Sequence, residues 1–112
     1  MDESRSSLLP GTLDLLILKT LSVGDLHGYA VAQHIHRLSR DALRVEEGSL
    51  YPALQRMQVK GWVSSDWKRT PTGRQARYYR LTAAGRRQLA AEEASFHKSV
   101  AATARVLRGA ES

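Results

Sequence analysis

Arginine is the side chain with which this sequence is best equipped to do chemistry. Thirteen of its seventeen basic residues are arginine, set against eleven carboxylates for a net charge of +6. Ten of the basic residues (Arg44, Arg56, Lys60, Lys68, Arg69, Arg74, Arg77, Arg80, Arg86 and Arg87) fall between positions 44 and 87 with only Glu46, Glu47 and Asp66 among them, so that stretch carries +7 and the remainder −1. A guanidinium is a planar fork of donors that fits phosphate oxygens and the edge of guanine. Its concentration in one stretch is the electrostatic footprint of a surface built for a polyanion. A basic face that serves only solubility is the plainer alternative, because charge by itself does not choose a partner.

Other chemistries find no support. With no cysteine, disulfides, thiolate zinc sites and thiol catalysis are excluded together. His34 and His36 are two apart on a predicted helix and point in different directions, whereas helical metal ligands need a spacing of three or four. His27 and His97 have no acidic companion at a recognisable spacing, so no metal site and no cofactor is expected. Paired carboxylates, a nucleophile elbow and a glycine-rich phosphate loop are all missing, which argues against an enzyme. The longest apolar run, Leu15 to Leu18, is fenced by Asp14 and Lys19 and cannot span a bilayer. No signal-type segment follows Asp2 and Glu3, so a cytoplasmic location is expected. At 112 residues the chain suits a single core.

The elements that must position the arginines can be read from periodicity. Pro10-Gly11 breaks the chain, and Thr12 is placed to cap a helix to about Leu21 with Leu13, Leu16, Ile17 and Leu21 on one face. A second helix runs from Gly28 to Leu38 with Tyr29, Ala32, Ile35 and Leu38 inward. Ser39 to Arg44 reads as a loop, with a very short strand over Leu43–Val45. A third helix starts between Glu47 and Ser49, since Pro52 is tolerated only near a helix start, and stops at Lys60-Gly61. Its stripe of Leu50, Ala53, Leu54 and Met57 leaves Tyr51, Gln55, Arg56 and Lys60 outside. Trp62–Arg69 and Gln75–Leu81, joined by Thr70-Pro71-Thr72-Gly73-Arg74, read as a β-hairpin with Val63, Tyr79 and Leu81 beneath it. Trp62 and Trp67 fall on opposite strand faces, which leaves at least one exposed or in a subunit contact. Thr82 then caps one long helix to about Arg108, whose narrow seam of Leu89, Phe96, Val100, Thr103 and Leu107 suits packing against another helix.

The expected fold is therefore mainly α with a β-hairpin wing (α+β): a winged helix-turn-helix over residues 1–82 and one long C-terminal dimerisation helix over 83–112. In such an arrangement a helix about 11 Å across enters a major groove about 12 Å wide while the hairpin reaches a neighbouring groove or backbone.

Four segments in order carry a family resemblance. They are Leu9-Pro10-Gly11-Thr12-Leu13-Asp14-Leu15-Leu16-Ile17-Leu18, then Leu26-His27-Gly28-Tyr29, then Glu46-Glu47-Gly48-Ser49-Leu50-Tyr51-Pro52-Ala53-Leu54, and last Tyr78-Tyr79-Arg80-Leu81-Thr82 with Gly85. The chain resembles the PadR family of bacterial transcriptional regulators, in particular its short subgroup with a single C-terminal helix. That resemblance implies a homodimeric repressor on double-stranded DNA, bound to an inverted-repeat operator and released by a small molecule or another inducing signal. Carried over residue by residue, the third-helix contacts are Ser49, Tyr51, Pro52, Gln55 and Arg56, and the wing contacts are Gly73, Arg74, Gln75 and Arg77. Some short members bind flat aromatic compounds between subunits, which makes Phe96, with Glu92 and Glu93 one turn earlier, a candidate site for a planar inducer; the alternative is that Phe96 simply fills the dimer core. The competing reading from another class is a basic module that recruits protein or RNA without reading bases.

Overall fold

The computed structural model describes residues 12–110. The Pro10-Gly11 chain break and the polar arm before it lie outside the described residues. Helix α1 (Thr12–Leu21) is followed by a two-residue strand β1 (Leu26–His27), α2 (Gly28–Leu38), α3 (Glu47–Val59), β2 (Val63–Arg69), β3 (Gln75–Leu81) and α4 (Ala83–Gly109). Helices α1 to α3 enclose a core of Ile17, Leu18, Leu21, Val31, Leu50, Leu54 and Met57, and Val63, Tyr79, Leu81 and Leu89 close it from the hairpin and α4. Each large aliphatic side chain removed from water in this way contributes about 1.5–3 kcal/mol.

Three inward stripes come out as expected or shifted for local reasons. In α3 the buried residues are Leu50, Ala53, Leu54 and Met57, as the periodicity requires. In α1, Thr12 is itself helical rather than the cap, and Leu15 and Leu18 are buried while Leu13 and Leu16 are only half-buried. This helix touches α2, α3, α4 and β3, so nearly its whole circumference is covered and no single stripe describes it. In α2 the buried face is Gly28, Val31 and Ile35. Tyr29, one residue round from that face, and Leu38, at the helix end beyond its neighbours, are both exposed.

The short strand expected over Leu43–Val45 does not form. Its backbone is irregular, with the Leu43 amide donating to Ser39 Oγ at 2.9 Å and Val45 turned into the core. The third strand is instead Leu26–His27, paired antiparallel with Tyr79 and Tyr78, so the sheet order is β1-β3-β2. A two-residue strand is too short to show alternation. His27 also caps α2, its Nδ1 accepting the Ala30 amide at 3.2 Å.

Pro52 is the sixth residue of α3, in its second turn rather than its first. Its missing N–H leaves the Gly48 carbonyl without the usual partner, which a helix end reaching solvent tolerates. Gly61 follows the helix with φ +80° and releases the chain into β2. In the hairpin the register pairs Val63 with Leu81 and continues to Arg69 with Gln75.

Thr82 joins the wing to α4 by two bonds. Its Oγ1 accepts the Gly85 amide at 3.0 Å and donates to the Gly61 carbonyl at 2.6 Å. Gly85 is obligatory for packing, since a Cβ there would overlap the Trp62 carbonyl oxygen. From this anchor α4 runs 27 residues, about 40 Å at 1.5 Å per residue. It projects beyond the body of a molecule 59 Å in its longest dimension.

Candidate nucleic-acid interface

The outward face of α3 presents Ser49, Tyr51, Pro52, Gln55 and Arg56, all exposed, because the opposite face is committed to the core. Beside it stands the hairpin. Strand alternation places Trp67, Arg69, Gln75 and Arg77 on the sheet face that carries Val63, Tyr79 and Leu81, but further out, past the edge of the helices. Tyr51, Gln55, Gln58 and Val59 of α3 and Arg77 and Tyr79 of β3 line a cleft of about 490 Å³ between helix and wing. Of the expected contacts, Tyr51 and Gln55 from α3 and Arg77 from the hairpin thus meet across this cleft, whereas Ser49, Pro52, Arg56, Gly73, Arg74 and Gln75 do not line it.

Charge along the sequence does not translate into one basic face. Lys68 and Arg80 lie on the other side of the hairpin, where Lys68 Nζ sits 3.4 Å from Asp25 and Arg80 Nη1 3.2 Å from Asp66. On the α3 side Arg77 meets a neutral hydroxyl instead, donating from Nε to Ser65 Oγ at 2.9 Å while its guanidinium lies over the exposed Trp67 ring, 5.5 Å from the centroid. Arg56 is held differently from what its sequence position implies. Its Nη2 is 2.7 Å from Asp14 Oδ1 in the first turn of α1, a pair formed between residues 42 apart.

Tyr51 is also more constrained than an exposed phenol would be. Its ring occupies the space where Gly28 has no side chain, and a Cβ at Gly28 would lie 2.6 Å from Tyr51 Cε1 and 2.8 Å from its hydroxyl. Burial of this edge, with Glu47 and Tyr79 nearby, pushes the phenol above its ordinary pKa of 10.0. A protonated hydroxyl can donate to a phosphate oxygen.

At the wing tip, Gly73 adopts φ +88°, donates its amide to the Thr70 carbonyl at 2.8 Å and lets the chain reverse. Thr70 and Arg74 exchange a further bond, Thr70 N–H to the Arg74 carbonyl at 2.7 Å. Gly73, Arg74 and Gln75 are all exposed there.

The expected α4 residues divide. Leu89 is buried in the chain's own core, because the start of α4 packs on α1 and β3, so it is not part of any exposed seam. Phe96, Val100, Thr103 and Leu107 do line one apolar groove of about 550 Å³, shared with Thr12 and Leu15 of α1. Glu92 borders that groove and accepts from Gln88 at 2.7 Å. Glu93 is turned to Lys19 at 3.4 Å and also lies 4.0 Å from His97 Nε2, so His97 does have an acidic companion, one helical turn back. Among the described residues no cluster of three or more metal-ligating side chains occurs, and no helix is long and apolar enough to cross a membrane.

Residues 17–91 match the Transcriptional regulator PadR-like family. The chain belongs to that family. It is 40% identical over 75 residues, 67% of its length and 66% of the relative's, to transcriptional regulator Rv3488 of Mycobacterium tuberculosis. Among solved structures it resembles a PadR-like transcriptional regulator from Bacillus cereus, with a TM-score of 0.77 at 28% identity, covering 91% of this chain and 97% of the other. A PadR family transcription regulator from Clostridium difficile gives 0.75 at 27% identity, covering 87% and 99%. The four helices and three-stranded antiparallel sheet are the PadR-like winged helix, and the protein is a DNA-binding transcriptional regulator rather than an enzyme.

Sequence reading missed Asp14, Gly28, Gln58, Ser65 and Trp67 as parts of this surface. Each acts through a residue on another element, from seven to 42 positions away, and only an exposed tryptophan beside arginines offered a local signal.

Proposed function

We propose that this PadR-like protein is a homodimeric repressor on an inverted-repeat operator. In this reading residues 1–82 form the DNA-binding domain and 83–112 the dimerisation helix. The observation that carries it is the shared concave surface of α3 and wing, with Arg77 facing Tyr51 and Gln55 across one cleft. Helix α3 enters the major groove, where Gln55 can pair with adenine and Tyr51 and Pro52 meet phosphate or a thymine methyl. Ser49 and Arg56 flank them, and Gly73, Arg74, Gln75 and Arg77 follow the neighbouring backbone. Two-fold pairing of α4 through Phe96, Val100, Thr103 and Leu107 sets the two α3 helices about one DNA turn apart, near 34–36 Å. A planar cationic inducer would meet Phe96 and Glu92 in the α1–α4 groove, while Lys19 already balances Glu93. The protein acts in the cytoplasm, where its DNA is.

The test is selection from a random duplex pool followed by competition. A specific regulator binds the selected palindrome about 10³- to 10⁷-fold tighter than random duplex. Equal affinity for both, or preference for RNA, supports instead a basic module that recruits RNA or protein without base readout.

A further inference from the structure

The wing carries a side-chain relay that is independent of its backbone pairing. Ser65 Oγ donates its one proton to Gln58 Oε1 on α3 at 3.2 Å and accepts the Arg77 Nε–H at 2.9 Å. Ser65 and Arg77 sit on adjacent strands as same-face diagonal neighbours, offset by two register positions, since Ser65 is opposite Tyr79 and Trp67 opposite Arg77. The Arg77 guanidinium carbon also lies over the Trp67 ring, 5.5 Å from its centroid. The Nε edge of Arg77 is therefore occupied and its guanidinium is flanked by the indole, and what remains is the outer fork of Nη1 and Nη2.

The partner chemistry decides what that fork is for. Arg56 and Arg80 spend their charge on carboxylates, Asp14 and Asp66. Arg77 is held by a hydroxyl and an aromatic ring, neither of which neutralises it. A guanidinium positioned by neutral groups keeps its full charge and loses the rotamer freedom that binding would otherwise have to remove.

We propose that Ser65 and Trp67, with Gln58 behind Ser65, are positioning residues that hold the Arg77 fork ready for one backbone phosphate of the operator, at the boundary between the groove filled by α3 and that followed by the wing. The proposal rests on the DNA-binding reading above. Because Ser65 bonds α3 and the hairpin at once, the relay also fixes the wing arginine relative to the recognition helix. The two contact sets therefore keep a common register on the duplex.

The experiment uses the full chain and the duplex selected by the wild type. Ser65→Ala keeps every charge, so operator affinity falls about 3- to 10-fold, the net effect of one hydrogen bond, with no change in the slope of log K against log salt. Arg77→Ala lowers affinity and reduces that slope by about one per subunit. The double variant is no weaker than Arg77→Ala alone, Ser65→Thr restores binding, and Trp67→Ala costs about 2- to 5-fold. In the free protein, the Arg77 Nε–H signal in nitrogen-detected magnetic resonance exchanges slowly in the wild type and fast in Ser65→Ala. Ser65→Ala and Arg77→Ala losses that multiply in the double variant, or a silent Ser65→Ala beside a damaging Arg77→Ala, overturn the positioning role alone. A silent Arg77→Ala on a duplex the wild type binds overturns the proposal together with the wing contact it rests on.

Discussion

Gly28→Ala tests how tightly the scaffold holds the recognition helix. The added methyl would lie 2.6 Å, 2.8 Å and 2.9 Å from three atoms of the Tyr51 ring and hydroxyl. All three belong to the far end of a side chain that is 40% exposed, so the ring is expected to swing out rather than the backbone to break. Forcing extra volume into a packed contact costs about 1–3 kcal/mol. Against this, alanine in place of glycine at a conformation it can adopt stabilises by about 0.4–1 kcal/mol through the unfolded chain. The net loss in the wild-type background is thus about 0–2.6 kcal/mol. With Tyr51→Ala already present the clash is gone, and Gly28→Ala should stabilise by about 0.4–1 kcal/mol. The sign reversal implies a coupling energy of about 1–3 kcal/mol. Urea unfolding of the four proteins of this cycle, at one fixed protein concentration because a dimer's stability depends on it, measures the coupling. Operator binding by Gly28→Ala should fall as well, because the displaced phenol enters the cleft with Gln55 and Arg77. Additivity within about 0.5 kcal/mol would refute the reasoning, since Tyr51 would then not feel the glycine.

Three further outcomes are expected. Arg74→Ala should weaken binding to all duplexes alike and lower the salt slope by about one per subunit, whereas Gln55→Ala should relax preference at one operator position by about 1–3 kcal/mol; identical salt curves for the two variants would contradict this division. Val100→Asp in the groove shared by α1 and α4 should leave the monomer folded, as Val100 is 49% exposed, but shift sedimentation to monomer at low micromolar concentration; a persistent dimer would place the interface elsewhere. The raised pKa of Tyr51 gives a pH signature: stability is fully present below the ordinary value of 10.0 and is lost as pH rises through the higher folded value. The stability gap between wild type and Tyr51→Phe should therefore narrow or reverse above pH 10.0, and a gap constant from about pH 8 upward would show that the phenol titrates normally.

Local sequence determined what short-range physics controls. The α3 stripe of Leu50, Ala53, Leu54 and Met57, the Gly61 stop, the Thr82 cap and the two hairpin strands all follow from spacing, backbone freedom and capping chemistry within a few residues of each position. The four motif segments were likewise enough for the family resemblance, since motif identity is a property of the string. Tertiary structure decided which surfaces those elements share. Alternation across paired strands sends Lys68 and Arg80 to one face of the hairpin and Arg77 to the other, so a basic run of sequence divides into a neutralised side and a charged one. Leu89 looked like the start of a seam because helical periodicity cannot tell a chain's own core from a partner's. Asp14 with Arg56, Gly28 with Tyr51, and Ser65 between Gln58 and Arg77 became partners only when the chain had folded, because complementarity between distant residues leaves no period and no local composition to read.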